Sequence, residues 1–315
     1  MKDVKYIPQR DGYGQGLLEL CKTRSDVLVL DADVAASTRT NWVRDQYPDH
    51  FYNLGISEQD MVGTAAGLAL GGLIPYVSTY GVFLSGRAFD QMRTTVCYNN
   101  LKVRFGGAHA GISVGPDGAT HQALEDIALA RVLPKMMVIA PCDSEETRKA
   151  VIAAADIDGP VYFRFGREAV PVVTDENTPF QIGKARLVKE GSACAVFACG
   201  AMVYEAMVAA EELAKEGVSL RVYDLHTIKP IDEEAILTAA RECGCLVTAE
   251  EHQTAGGLYS AVAEVVVKGH PVPMESVSVR DTFGQSGPPE ALMNAYGLNA
   301  QGIVAAVRTV LERKA

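Results

Sequence analysis

Short β-branched runs alternate along this chain with longer stretches in which apolar residues recur at helical spacing. The runs are Val27-Leu28-Val29-Leu30, Ile74-Pro75-Tyr76-Val77, Lys102-Val103-Arg104-Phe105, Met136-Met137-Val138-Ile139 and Val161-Tyr162-Phe163, with helical patterns near 57–70, 86–98, 122–132 and 143–155. Such alternation predicts a mainly parallel sheet covered by helices. From Arg167 to Gln181 the pattern lapses into Pro171, Pro179 and a polar Thr174-Asp175-Glu176-Asn177, the composition of a linker. A second series follows, with strands near 193–198, 219–223, 245–249 and 275–279 and helices near 202–216, 232–242 and 257–268. The expected fold is α/β: two tandem parallel-sheet domains at 1–170 and 183–315, joined by a linker over 171–182. A length of 315 residues agrees, since it exceeds the usual size of one hydrophobic core, and each domain is expected to fold around its own.

Composition narrows the function classes. From Met61 to Gly86 no Asp, Glu, Lys, Arg or His occurs, a stretch long enough for a membrane span. Gly71-Gly72 and Pro75 split the stretch and Ser78-Thr79-Tyr80 makes its second half polar, so a buried helix and strand are expected and no membrane partner. With a formal charge of −10 and no long Lys/Arg run, nucleic acid is not expected as a partner either. Seven cysteines, an odd number, show neither Cys-x-x-Cys nor zinc spacing, and the opening Met1-Lys2-Asp3-Val4-Lys5-Tyr6 has no apolar core. Free thiols in a reducing cytoplasm are the expectation.

Three segments carry candidate chemistry. Asn53-Leu54-Gly55-Ile56-Ser57-Glu58-Gln59-Asp60 stands at the entrance to a helix. It admits a purely structural reading, with Ser57 as N-cap, Asp60 its partner three residues on, and Glu58 a first-turn acid complementing the helix dipole. Ser78-Thr79-Tyr80-Gly81-Val82-Phe83-Leu84 sets two aromatics three apart at a strand end, where core packing is the plain alternative. The stretch Gly106 to His121 holds five glycines, His109, His121 and Asp117 directly after a strand. Open parallel sheets bind ligands at that carboxyl end, and a merely structural loop has no need of two histidines.

The strings Gly55-Ile56-Ser57-Glu58-Gln59, Ser-Thr-x-x-x-Phe ending at Phe83, and Gly115-Pro116-Asp117-Gly118-Ala119-Thr120-His121-Gln122 together resemble the pyrimidine-binding half of transketolases. Glu250-Glu251-His252-Gln253-Thr254-Ala255-Gly256-Gly257 and Phe283-Gly284-Gln285-Ser286-Gly287 resemble the C-terminal domain of the same superfamily, shared with deoxyxylulose-phosphate synthase and 2-oxo-acid dehydrogenase beta subunits. The resemblance implies dependence on thiamine diphosphate. It implies that Glu58 hydrogen-bonds the pyrimidine ring nitrogen, that Phe83 stacks on the ring, and that Tyr80 lines the pocket. Asp33 falls at a second-subunit cofactor contact, while His109, Asp117 and His121 fall at sugar contacts, the two histidines sharing catalytic work with Glu58. Arg10, Ser37 and Arg167 fall at positions that grip a sugar phosphate, where arginine's forked donors suit an anion. For Arg167 a linker-edge surface charge is the alternative.

The family's Gly-Asp-Gly motif and following Asn, which hold the diphosphate and its Mg2+ or Ca2+, are absent: Asp11-Gly12, Asp117-Gly118 and Asp158-Gly159 all lack the first glycine. The resemblance therefore implies the C-terminal subunit of a split transketolase, completed by an N-terminal partner subunit in an α2β2 assembly that buries apolar surface between Met61 and Phe83. Gly86-Arg87 replaces a usual pocket tyrosine and Pro116 an acidic residue, which leaves the sugar or sugar-phosphate substrate open. The alternatives are a synthase-like or dehydrogenase-beta-like subunit acting on pyruvate, and a non-catalytic scaffold. A dinucleotide-binding protein is disfavoured, because Asp31-Ala32-Asp33 follows the first strand in place of Gly-x-Gly-x-x-Gly.

Overall fold

A computed structural model describes residues 4–314; Met1 to Asp3 of the opening segment, and Ala315, lie outside the described residues. Its largest sheet has seven strands in the order Thr227–Lys229, Met137–Ile139, Val161–Arg164, Arg104–Ala108, Ile74–Tyr80, Val27–Asp31, Phe51–Asn53. All neighbours run parallel except the first pair. The central strands are buried on both faces, as covering helices require, and read as continuous apolar runs. A five-stranded sheet of Met274–Val279, Leu246–Gln253, Cys194–Ala198 and Leu220–Asp224, all parallel, is edged by antiparallel Arg186–Lys189. The α/β expectation of two parallel-dominated sheets holds.

Register places the site. Asp31 pairs with Ser78, Ser78 with Gly106, and Gly106 with Phe163, so four adjacent strands end together and release their loops on one side. Gly107, one residue beyond this row, has no room for a side chain, since a Cβ there would lie 2.3 Å from the Tyr162 hydroxyl. The long helices Glu58–Leu70, Ser144–Ala154, Met202–Lys215, Glu233–Cys243 and Leu258–Gly269 fall within about a residue of expectation.

Other expectations need correction. The helix expected over 86–98 is two pieces, Gly81–Arg87 and a wider-wound Gln91–Cys97. Ser57 caps nothing: its hydroxyl donates to the Leu54 carbonyl at 2.7 Å. The expected linker contains strand Ala169–Pro171, which pairs antiparallel with Tyr6–Pro8. Helices Gln9–Thr23, Pro289–Ala295 and Ala300–Glu312 had no expectation at all. Beside a core within the first half and one mainly within the second, a further apolar cluster is shared, running from Leu28, Phe105 and Tyr162 to Phe197, Leu225 and Val262. The reason is topological: Thr227–Lys229 leaves the second half and closes the edge of the first sheet against Val138 and Ile139.

Arg164 joins the two halves. It is buried, its Nε donates to Asp126 at 3.2 Å, and one Nη donates to the Ala123 carbonyl at 3.2 Å and the Glu251 carbonyl at 2.5 Å. Burial works to lower its pKa, but the Asp126 and Glu251 carboxylates outweigh burial and raise it. Arg164→Met strips Asp126 of its cation in a dry site, so a stability loss of about 3–5 kcal/mol is expected in denaturant unfolding. A loss under about 1 kcal/mol would show that Arg164 does not join the halves.

Candidate active site

Glu58 opens helix Glu58–Leu70, and only 4% of it is exposed. With no capping role for Ser57, the acid turns inward to the neighbouring helix, where Arg87 Nη1 lies 3.2 Å from both carboxylate oxygens. The Arg87 guanidinium stands 4.0 Å from the Phe83 ring centre, a contact that i,i+4 spacing on one helix makes available. Phe83 stacks beside Tyr80 at 5.8 Å and meets His121 edge-on at 5.2 Å, and Tyr80 stacks on His109 at 4.2 Å. The expected residues Glu58, Tyr80, Phe83, His109 and His121 thus form one aromatic-walled hollow with a dry carboxylate on its side.

A basic corner adjoins it. Arg10 donates to the Ser37 carbonyl at 3.1 Å, and the Ser37 hydroxyl accepts from Tyr80 at 3.1 Å, tying corner to hollow. Arg167 is half-exposed and paired with Asp117 at 3.3 Å and Glu168 at 3.6 Å. Arg39, which the sequence did not single out, is paired with Asp11 at 2.6 Å. Arg10 has no ion-pair partner among the described residues and its Nε is buried without an acceptor. Burial first, and then the charges of Arg39 and Arg167, lower its pKa. An anion in this corner would relieve both costs. Gln9 was also missed: its buried amide accepts from Gly166 N at 2.7 Å, which fixes the backbone beside Arg167 next to Arg10. Asp33 stands apart at the rim, exposed and accepting from Asn53 at 2.8 Å.

His109 stands between hollow and corner. Only 1% is exposed, and its Nδ1 is buried with no partner among the described residues. Burial first, then Arg10, Arg167 and Arg39, push its pKa down to about 3, so the imidazole is neutral and can accept a hydroxyl proton. Backbone φ is 54° at His109 and 66° at Asp33, left-handed conformations that side chains pay for and that cluster at functional sites.

The second half holds the glycine-rich loop in place. Glu251 accepts from Ser113 N at 3.1 Å, and Gln122 donates to the Gln285 carbonyl at 2.9 Å. A Cβ at Gly111, where φ is +90°, would lie 2.2 Å from Glu251 Oε2. Glu250 accepts from Leu258 N and Tyr259 N at 2.7 and 2.8 Å, and burial lifts its pKa to about 7. The later motifs are supports for the loop.

The cluster suits the aminopyrimidine of thiamine: a flat ring face on Phe83 and a buried carboxylate whose present donor, Arg87, is half-exposed. It does not fit the diphosphate or its metal. Among the described residues, the side chains able to gather on a cation are Cys142, Glu146 and Asp224, buried elsewhere beside Arg186 and including no residue of the hollow.

Comparison with known proteins finds two family models that match the chain in succession. The model of the transketolase pyrimidine-binding domain matches residues 5–173, and that of the transketolase C-terminal domain matches 183–303. A "Putative transketolase C-terminal section" of Methanocaldococcus jannaschii is 39% identical over 312 residues, 98% of each chain. A 6-deoxy-6-sulfo-D-fructose transketolase subunit of a Clostridium species is 41% identical over 97% of this chain and 95% of its own. Among solved structures, a split-gene transketolase in an inactive beta4 tetramer superposes with a TM-score of 0.92 at 45% identity, covering 98% of this chain and 100% of that one.

The depressed His109 pKa predicts a pH effect. Its folded pKa of about 3 lies below an unfolded value near 6.5, so stability is intact above pH 6.5 and falls as pH drops toward 3, because the unfolded chain takes up a proton the fold refuses. By pH 5 the loss is about 2 kcal/mol. His109→Gln should recover about that much of the wild-type difference between urea unfolding at pH 7 and at pH 5; parallel losses in both proteins would refute a neutral buried imidazole.

Proposed function

The chain belongs to the transketolase family, and from that premise we propose that it is the C-terminal subunit of a two-chain enzyme that transfers a two-carbon ketol unit from an anionic ketose to an aldose. The observation that carries this reading is the half-site: a dry Glu58 carboxylate beside Phe83 and Tyr80, on a chain with no cradle for a diphosphate. Thiamine diphosphate, when bound, supplies the carbanion chemistry. Glu58 holds the proton of a hydrogen bond to the pyrimidine ring nitrogen, and its burial keeps that bond strong. Phe83 and Tyr80 fix the plane of the ring.

The sugar lies across His109, Asp117 and His121. Neutral His109 accepts from a sugar hydroxyl through a nitrogen that has no protein partner, and His121, half-buried beside Phe83, moves a proton at the sugar oxygen. Arg10, with Ser37 and Arg167, takes the anionic head group, and a phosphate or a sulfonate satisfies the same donors. Asp33, exposed at the rim, faces the region where the partner's cofactor-binding half completes the site. That partner carries Gly-Asp-Gly and a downstream Asn and holds the diphosphate with Mg2+ or Ca2+.

The docking face is helix Glu58–Leu70. Met61 and Val62 are fully buried, which corrects the apolar surface expected to begin there; the exposed residues of the helix are Gln59, Asp60, Gly63, Thr64, Gly67 and Leu70, with exposed Ile56 just before it. Active sites at subunit junctions of an α2β2 assembly follow. The seven buried, unpaired thiols accord with the reducing cytoplasm.

Two measurements test this reading. Purified alone, the chain should show neither ketol transfer nor tight thiamine diphosphate binding by calorimetry, and adding the Gly-Asp-Gly partner should restore both; turnover without a second polypeptide would sink it. The reconstituted complex should use hydroxypyruvate or a ketose phosphate and not pyruvate. In that complex, Glu58→Gln should cut kcat by roughly 10²–10⁴-fold with the fold intact. Retention of more than about a tenth of the rate would remove Glu58 from the catalytic role.

A further inference from the structure

Glu58 is nearly dry, and a carboxylate so placed is costly without a partner. The partner it has is Arg87, whose Nη1 lies 3.2 Å from each oxygen. The same guanidinium lies 4.0 Å from the centre of the Phe83 ring. A guanidinium is planar, stacks on aromatic faces and points N–H donors along its edge. An aminopyrimidine has a matching shape: a flat face for Phe83 and a ring-nitrogen edge that shares a proton with Glu58, although there the proton sits on the Glu58 side. One side chain therefore makes both contacts that the proposed function assigns to the cofactor ring.

We propose that Arg87 is an internal stand-in for the aminopyrimidine, filling the slot between Glu58 and Phe83 in the cofactor-free chain, and that the cofactor enters by displacing it. This rests on the reading of the hollow as the pyrimidine site.

The surroundings make displacement cheap on one side and impossible on the other. Glu58 is locked into the first turn of a long packed helix, with Met61 and Val62 fully buried just beyond it. Arg87 is the last residue of the short helix Gly81–Arg87, and 51% of its side chain is exposed. Because half of its side chain already faces solvent, the guanidinium can swing further into water without crossing the core. Its backbone stays anchored, because its carbonyl accepts from Gln59 Nε2 at 3.0 Å. The ion pair keeps the Glu58 carboxylate paired in the cofactor-free chain, and it also competes with the cofactor. Apparent affinity falls by the fraction of time the slot is self-filled.

The test is titration of thiamine diphosphate with Mg2+ into the complex of this chain with its Gly-Asp-Gly partner, by calorimetry and by stopped-flow fluorescence. Arg87→Ala should tighten the Kd about tenfold, ~1.4 kcal/mol, and speed association. Arg87→Lys keeps the charge without the plane and should fall between. Without cofactor, Arg87→Ala should melt several degrees lower, because Glu58 has lost its cation. A crystal structure of the loaded wild-type complex should show the guanidinium away from the Phe83 ring. An equal or weaker Kd for Arg87→Ala, or a loaded complex with Arg87 still on Phe83, would overturn the inference and make Arg87 a permanent wall of the site. If Arg87→Ala fails to assemble, Arg87→Met, which keeps the apolar stem, takes its place in the titration with the same expectations. No binding by wild type and variants alike would instead overturn the cofactor reading of the hollow, and this inference with it.

Discussion

The buried guanidinium of Arg164 is the constraint on which the geometry of the site depends. Arginine has five N–H donors and cannot shed its charge, so a dry site must surround it with acceptors in fixed places. Asp126, the Ala123 carbonyl and the Glu251 carbonyl are those acceptors, and they come from both halves of the chain. Once the Glu251 backbone is fixed, its side chain reaches Ser113 N and sets the glycine-rich loop. That loop carries Asp117 and His121, and the turn before it carries His109. The C-terminal half therefore contributes no side chain to the hollow, yet decides where three of its residues stand.

The site works by contrast between neighbours. On one side Arg10, Arg39 and Arg167 crowd positive charge, two of them neutralised by Asp11 and Asp117 and one left without an ion-pair partner. On the other side Glu58 is a negative charge removed from water. His109 lies between them and is held neutral, which makes it an acceptor of hydroxyl protons at any pH at which the fold persists. Separating opposite charges across a neutral ring gives a polar substrate one orientation: anion toward Arg10, reacting end toward the aromatic hollow.

Much of this was legible from residue order. β-branched runs fixed the parallel strands because a strand buried on both faces must be apolar throughout, and the carboxyl-end rule placed the segment with His109 and His121 at the end of its strand. Helix Gln9–Thr23 was hidden because Gly12, Gly14 and Gly16 weaken its pattern; they are there for close packing, a Cβ at Gly12 falling 1.8 Å from the Ser144 carbonyl. The strand Thr227–Lys229 is three residues long, and nothing local says which sheet it will join. Arg39 and Gln9 act through partners distant in sequence, Asp11 and Gly166, so no spacing announces them. Ser57 followed three residues later by Asp60 imitates a cap, but its hydroxyl had a nearer acceptor in Leu54.

Helix Glu58–Leu70 poses a cost that this chain does not itself explain. Gly63 and Gly67 lie on its exposed face, and a Cβ at either would meet nothing within 4 Å. Each glycine in a helix interior costs about 1 kcal/mol relative to alanine, so the pair weakens the very helix that presents Glu58. At Gly107 or Gly111 a neighbour within the chain forbids a side chain; here none does. Glycines one turn apart on an open face suit the close approach of a second backbone, and Ile56 and Leu70, 75% and 74% exposed at the two ends, are apolar surface that such an approach would cover. One face of the helix thus holds the carboxylate dry while the other is open, and under the two-chain reading proposed above docking of the partner offsets the weakness of the free helix. On that reading chemistry and assembly share one rigid element, and the second chain supplies more than the diphosphate.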